Sequence, residues 1–174
     1  RFLERDVRPV AHDLEAKDEW PAEIVEKMKA LGLFGATIGE EYGGLGLSAA
    51  TYSKIVERVS AVWMSVSGIF NSHLIMAQAV ERAGTEEQKR KWLPKFAAGE
   101  LRGGIALTEP DAGTDLQGIR TSARRDGNGY RVNGTKTWIS NSVQGHVLAV
   151  LVKTDPQAEP RHRGMSLMLI EKGE

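Results

Sequence analysis

The chain has 174 residues, with 23 Lys and Arg against 23 Asp and Glu and no cysteine, a length that holds one large domain or two small ones. The neutral balance argues against a nucleic-acid binder, which gathers surplus Lys and Arg to neutralise phosphates. Without cysteine there is no disulfide framework, thiol nucleophile or thiolate metal site, and the redox compartment stays unread.

The opening Arg1-Phe2-Leu3-Glu4-Arg5-Asp6 is charged throughout, unlike a secretory leader. It starts without methionine, so the expectation is a piece of a longer protein, cytoplasmic by default. Up to about Gly99 the apolar positions recur at helical spacing. Ile24, Val25, Met28 and Leu31 share one face of a helix that Pro21 can open and Gly32 can close. Ser48 is a good N-cap for a second helix carrying Tyr52, Ile55, Val56 and Val59. A third, from Trp63 to Ala83, has few charges and is expected to be buried. Its apolar run around Ile69 to Val80 is broken by Asn71, Ser72, His73 and Gln78, and falls short of the roughly 20 residues of a membrane helix. Thr85 and Gln88 read as a capping box for a fourth helix, which Pro94 limits or kinks and Gly99 ends.

Beyond Gly99 the period shortens towards two and β-branched residues take over, as in Tyr130-Arg131-Val132-Asn133 and in residues 146–153. Asp126-Gly127-Asn128-Gly129 is a hairpin signal, and Asn133-Gly134 reads as a second turn of the same kind. Residues 155–163, with two prolines, read as an exposed loop, and Leu167-Met168-Leu169-Ile170 as a strand. Helices first and strands second favour two adjoining units of an α+β protein over an alternating sheet. The boundary is expected near residues 99–104.

Gly44, Gly46 and Ala49 have the G-x-G-x-x-A spacing of a dinucleotide-binding turn, but no buried strand precedes them and the next apolar segment is helical. A flexible loop ended by Ser48 is the preferred reading. His12, His73, His146 and His162 lack the spacing of a metal site, so none is expected. His73, on an apolar helix, reads as a core or pocket residue, and no G-x-S-x-G elbow marks a nucleophilic serine.

Two stretches carry more. Ile105-Ala106-Leu107-Thr108-Glu109-Pro110-Asp111-Ala112-Gly113-Thr114 is a strand running into a small-residue loop whose glycine lets backbone approach a ligand and whose amides and hydroxyls can donate hydrogen bonds. A polar turn between strands accounts for it equally well. Lys136-Thr137-Trp138-Ile139-Ser140-Asn141 sets a flat aromatic wall beside a hydroxyl in a β segment, although core packing explains Trp138 taken alone. Glu109, beside Pro110, reads as a hydrogen-bonded structural acid.

In this order, and with the helical half ahead of them, these stretches resemble the acyl-CoA dehydrogenase family. Glu40-Glu41-Tyr42-Gly43-Gly44-Leu45-Gly46 is similar to a loop of its N-terminal helical domain, and Gly84-Thr85-Glu86-Glu87-Gln88-Lys89 with Trp92-Leu93-Pro94 to the approach to its middle domain. Leu107-Thr108-Glu109-Pro110-Asp111-Ala112-Gly113-Thr114-Asp115 and Trp138-Ile139-Ser140 resemble its flavin-binding segments. Thr114 and Ser140 exchange one hydroxyl residue for another, whereas Asp111 stands where the family often has Gly and alters the loop charge.

The resemblance implies an all-α domain over residues 1–100, an incomplete middle domain over 101–174 built as an antiparallel β-barrel-like sheet, and a missing C-terminal helical domain that supplies the catalytic base. No catalytic residue is therefore assigned in this chain, and the fragment alone is expected to be inactive. FAD is implied as cofactor, held by Ile105, Ala106, Leu107, Thr108, Gly113, Thr114, Trp138, Ile139 and Ser140. By the same resemblance, backbone amides of Leu107 and Thr108 are expected to face the pyrimidine edge of the flavin, Ser140 to sit near N5, Trp138 to pack on the ring, and Gly113 and Thr114 to serve the pyrophosphate. Thr114 is also placed near the thioester of an acyl-CoA substrate. The implied reaction is α,β-desaturation within fatty-acid β-oxidation, with an electron-transfer flavoprotein as acceptor and a homotetramer as assembly. Flavin oxidases or monooxygenases of the same architecture, and a non-catalytic interaction module, are the alternatives. Residues 70–76 of the third helix are read either as pocket floor or as core.

Overall fold

A computed structural model of the chain describes residues 1–173 and separates into two compact units, Arg1–Arg102 and Gly103–Glu174, with Glu174 itself outside the described residues. Among the described residues the first unit holds five α-helices: α1 (Arg8–Ala16), α2 (Ala22–Ala30), α3 (Ala49–Ser60), α4 (Met64–Ala83) and α5 (Glu86–Ala97). A turn of π-helix, Leu3–Val7, leads into α1. No helix among them is long and apolar enough to cross a membrane.

The helix starts follow from their caps. Ser48 accepts the Thr51 N–H at the head of α3, and Thr85 and Gln88 form a reciprocal capping box at the head of α5, each satisfying amides that the first turn leaves without partners. In α2, Ile24, Val25 and Met28 are buried. Leu31 lies past the end of that helix and is 52% exposed, so the expected face is one residue shorter. Pro94 sits inside α5, which continues to Ala97. Gly99, at φ +67°, ends the segment, as only a residue without Cβ does at low cost.

The glycine-rich segment before α3 is a tethered loop, which corrects the flexible one expected from composition. Leu45, Gly46 and Leu47 donate their N–H groups to the carbonyls of Gly35, Ile38 and Ala36 at 2.9 Å each. Gly44 packs so closely on Ile38 that a Cβ there would collide with its backbone. The chain ahead of this loop forms short 3-10 turns rather than a strand, so the strand that a dinucleotide-binding turn requires is not there.

Helix α4 is the axis of the first unit. Val66, Phe70, Leu74, Met76 and Ala77 are buried along it, whereas Ile75 is 44% exposed. His73 is buried among them. Its Nε2–H donates to the Phe96 carbonyl at 3.1 Å, and its ring meets Phe34 and Phe96 edge-on, with centroids 5.3 and 5.6 Å away.

The second unit is a five-stranded mixed sheet built around β4 (Val147–Lys153). Strand β1 (Gly103–Ala106) runs parallel to the first half of β4, pairing Gly103 with Val147 and Ala106 with Val150. Strand β5 (Met165–Glu171) runs antiparallel along the opposite edge. At the far end of β4, Lys153 pairs in parallel with Ser122 of β2 (Ser122–Asp126). The hairpin to β3 (Gly129–Asn133) turns through Gly127 at φ +58°. The expected antiparallel barrel is thus corrected to an open sheet in which β1 and β2 both run parallel to β4. Period-two patterning signals a strand but not its direction, and the long connection from β1 to β4 leaves ample chain for a parallel crossover.

Asn133-Gly134 is corrected as well. It ends β3 without forming a hairpin, because Gly134 is pressed against the Thr121 side chain and the next strand begins only at Val147.

Burial lowers the pKa of His73 from 6.5 to about 4, aided by the charge of Arg102 and opposed by its backbone hydrogen bonds. The depressed value makes the stability of the helical unit complete above about pH 6.5 and erodes it as pH falls towards 4, by up to about 3 kcal/mol. Denaturant titrations across that range are expected to show the loss in the wild type and a flatter profile in His73→Gln. An equally steep profile in the variant would assign the loss to other groups.

Candidate functional site

The site begins where β1 runs out. After Ala106 the backbone passes through Leu107 and Thr108 into a tight turn in which Glu109 and Ala112 exchange N–H to carbonyl hydrogen bonds of 2.8 and 3.2 Å. Gly113 and Thr114 follow on the exposed side of the loop. A Cβ built on Gly113 would have one neighbour within 4 Å, the Thr108 Cγ2 at 4.0 Å. Gly113 and Thr108 therefore border the same open space. Asp115 then caps a 3-10 turn, Leu116–Gly118, through the Gln117 N–H.

A second segment, residues 134–146, returns from β3 to this point. The Thr137 N–H donates to the Thr108 carbonyl at 3.0 Å. One residue earlier, the Lys136 ammonium donates to the Leu107 carbonyl at 2.8 Å and to Glu109 Oε1 at 2.9 Å. The two stretches singled out in the sequence are thereby joined by three hydrogen bonds.

Glu109 is the hub of that junction. Its two oxygens accept the N–H groups of Arg120 (2.6 Å) and Thr121 (2.9 Å) as well as the Lys136 ammonium. The side chains of Lys136 and Glu109 are only 10% and 6% exposed. Burial alone would raise the carboxyl pKa, but hydrogen bonds from Thr121, Arg120 and Lys136 outweigh it and bring the value down to about 2. An acid held so firmly ionised and fully partnered is a structural anchor and a poor proton acceptor.

Past the junction the chain turns sharply. Trp138 has φ +59° and Asn141 φ +64°, in a region that non-glycine residues rarely occupy and that bulky ones adopt under constraint. Residues 134–146 form no strand, which corrects the expectation of a β segment here. The inward residues hold the turn in place: Ile139 packs on the core of Ala106, Ala123, Val150 and Val152, and Asn141 Nδ2 donates to the Gly103 carbonyl at 2.7 Å. The outward ones are presented to solvent, with Trp138 90% exposed and Ser140 exposed two residues on.

Of the residues singled out in advance, Leu107, Thr108, Gly113, Trp138 and Ser140 lie on or next to the joined loops. Ile105 and Ala106 lie within β1, and the Ala106 side chain belongs to the core. Ile139 is an anchor for the Trp138 turn, and Thr114 stands on the exposed part of its loop. Lys136 and Asn141 carry no role in the sequence reading. Each bonds to a partner more than 25 residues away, Lys136 to Leu107 and Asn141 to Gly103, and local spacing gives no sign of either. Near the loop a cavity of about 380 Å³ is lined by Arg120, Lys153 and Arg161 together with Asp155 and Gly118.

Comparison with known proteins bears on the whole chain. Residues 1–100 match the description "Acyl-CoA dehydrogenase, N-terminal domain", and residues 104–174 match "Acyl-CoA dehydrogenase, middle domain". The chain belongs to the acyl-CoA dehydrogenase family. It is 40% identical over 173 residues to (2S)-methylsuccinyl-CoA dehydrogenase of Cereibacter sphaeroides, covering 99% of this chain and 31% of that protein. The crystal structure of an acyl-CoA dehydrogenase from Geobacillus kaustophilus superposes with a TM-score of 0.90 at 43% identity, over 98% of this chain and 45% of that one. The FAD complex of PigA superposes with a TM-score of 0.88 at 28% identity, over 99% and 45%. The chain thus spans less than half the length of each of these proteins.

The depressed pKa of Glu109 makes its contribution complete above about pH 4.5 and lost as pH falls towards 2. Glu109→Gln leaves the Lys136 ammonium buried without its counter-ion and is expected to lower stability at pH 7 by about 3 kcal/mol. It should also flatten the acid limb between pH 4.5 and 2. Chemical denaturation at several pH values measures both effects, and a variant as stable as the wild type at pH 7 would refute the anchoring role.

Proposed function

We propose that this chain forms the FAD cradle and part of the substrate platform of an acyl-CoA dehydrogenase, an oxidoreductase that desaturates an acyl-CoA thioester between its α and β carbons. The observation that carries the reading is the Thr137 to Thr108 hydrogen bond of 3.0 Å, which brings the exposed Trp138 beside the Leu107 and Thr108 backbone. The donor set suits an isoalloxazine: amides at Leu107 and Thr108 for its electron-rich edge, the Ser140 hydroxyl for N5, and a solvent-facing indole as a wall. Gly113 and Thr114, bordering open space, suit the pyrophosphate, and Thr114 also suits the substrate thioester. The likeness to a chain solved with FAD supports the same cofactor here.

Bound FAD would supply hydride acceptance at N5. The part played by this chain is to hold and orient. Backbone donors at Leu107 and Thr108, fixed before reaction, stabilise negative charge on the ring edge without reorganising. Trp138 excludes water from one side of the ring. Glu109, at the junction of the two loops, is ion-paired and engaged with backbone amides, and the base that removes the α proton is assigned to a segment outside these residues. Arg120, Lys153 and Arg161 around the cavity suit the phosphate groups of a CoA tail. An electron-transfer flavoprotein as acceptor, a homotetrameric assembly and a place in fatty-acid β-oxidation complete the proposal.

Two measurements on the full-length protein test it. Stacking of a flat ring on an aromatic side chain is worth about 1–3 kcal/mol, so Trp138→Ala with Ser140→Ala is expected to weaken FAD binding by about 10–100-fold and to slow flavin reduction. Unchanged affinity and reduction rate would count against the cradle. Replacing Lys153 and Arg161 by Gln is expected to raise KM for an acyl-CoA several-fold while leaving FAD affinity alone, and an unaltered KM would remove the cavity from the substrate platform.

A further inference from the structure

The buried Lys136 is used more fully than charge neutralisation requires. Its ammonium bonds to Glu109, and it also donates to the Leu107 carbonyl at 2.8 Å. That carbonyl belongs to the same planar peptide unit as the Thr108 N–H. In a trans peptide the C=O and the N–H point in opposite directions, so fixing Leu107 O on Lys136 directs the Thr108 N–H away from the buried pair. The next peptide plane is fixed too, because Thr108 O accepts from Thr137 and the Glu109 N–H is taken by Ala112 O. Two consecutive peptide units at the end of β1 are therefore locked by residues 136 and 137, immediately before the constrained Trp138.

We infer that Lys136 is a positioning residue for the flavin: it sets the aim of the Thr108 N–H and clamps the Trp138 turn against the end of β1. The inference deepens the proposed function and rests on it. Lys136 itself touches neither cofactor nor substrate. It acts through the Leu107–Thr108 peptide plane, and Glu109 holds the ammonium where that bond can form. With the clamp removed, the peptide unit is free to rotate and the donor is no longer held on the ring edge. Since a donor at that edge favours reduction, its loss should make the flavin harder to reduce as well as looser.

The test uses the full-length protein, with FAD titrated into the apo form and the two-electron midpoint potential read on the loaded form. Lys136→Met strands a buried carboxylate and is expected to lose stability, to bind FAD at least tenfold more weakly and to shift the potential negative. The double variant Glu109→Gln, Lys136→Met removes both charges. It is expected to recover stability over Lys136→Met while keeping the weak binding and the negative shift, which a purely structural ion pair would not produce. A double variant with wild-type affinity and potential would overturn the clamp, and so would failure of both variants to fold, since the pair would then be a folding element alone. A wild-type protein that binds no FAD would instead overturn the functional reading on which the clamp depends.

Discussion

A single carboxylate and a single ammonium, both withdrawn from water, hold together the part of the sheet where chemistry is proposed. Glu109 and Lys136 lie 27 residues apart in sequence, yet their hydrogen bonds reach the end of β1, the approach to β2 and the segment that carries Trp138. Burying such a pair is costly, and the cost is offset only where the remaining donors and acceptors are also satisfied. Here two backbone amides bond to the carboxylate and a carbonyl accepts from the ammonium. The charges contribute a fixed geometry, in which loops that would otherwise diverge from the sheet meet at Thr108 and Thr137.

The rest of the second unit supports that junction. The core beneath it is made of small and β-branched residues, Ala106, Ala123, Val150 and Val152, which let the strands and the returning loop approach closely. Ile139 packs on this core and Asn141 ties back to Gly103, so Trp138 is held from the C-terminal side as firmly as Lys136 and Thr137 hold it from the other. An indole kept in a positive-φ conformation and left facing solvent is unfavourable for an isolated domain. It is intelligible if a flat apolar partner covers it. The first unit answers a different constraint, a helix too apolar to face water, with a buried neutral histidine satisfied by the Phe96 carbonyl.

Much of this was legible in the sequence where the signal is local. Ser48 and the pair Thr85 and Gln88 announce helix starts because capping is a matter of three residues, and Gly127 announces a hairpin for the same reason. The buried face of α4 follows from its composition. What local reading missed depends on distant partners. The parallel pairing of β1 and β2 with β4 is invisible to a period of two. The tethering of the Gly44 loop comes from carbonyls of the preceding turn, and Asn133-Gly134 is decided by Thr121. At the site, the residue types that suit a flavin stood out as two stretches. Their convergence was implied by the family resemblance alone, and the lysine at the junction needed the fold.

The claim on which the account turns is that the Thr108 and Trp138 loops embrace one flavin ring. A crystal structure of the full-length protein grown with FAD tests it most directly. The account predicts the isoalloxazine seated with its pyrimidine edge on the Leu107 and Thr108 amides and one side against the Trp138 indole, with the Lys136 to Leu107 bond retained. A flavin bound elsewhere on the chain, or a Trp138 indole that stays in solvent beside an occupied site, would contradict it.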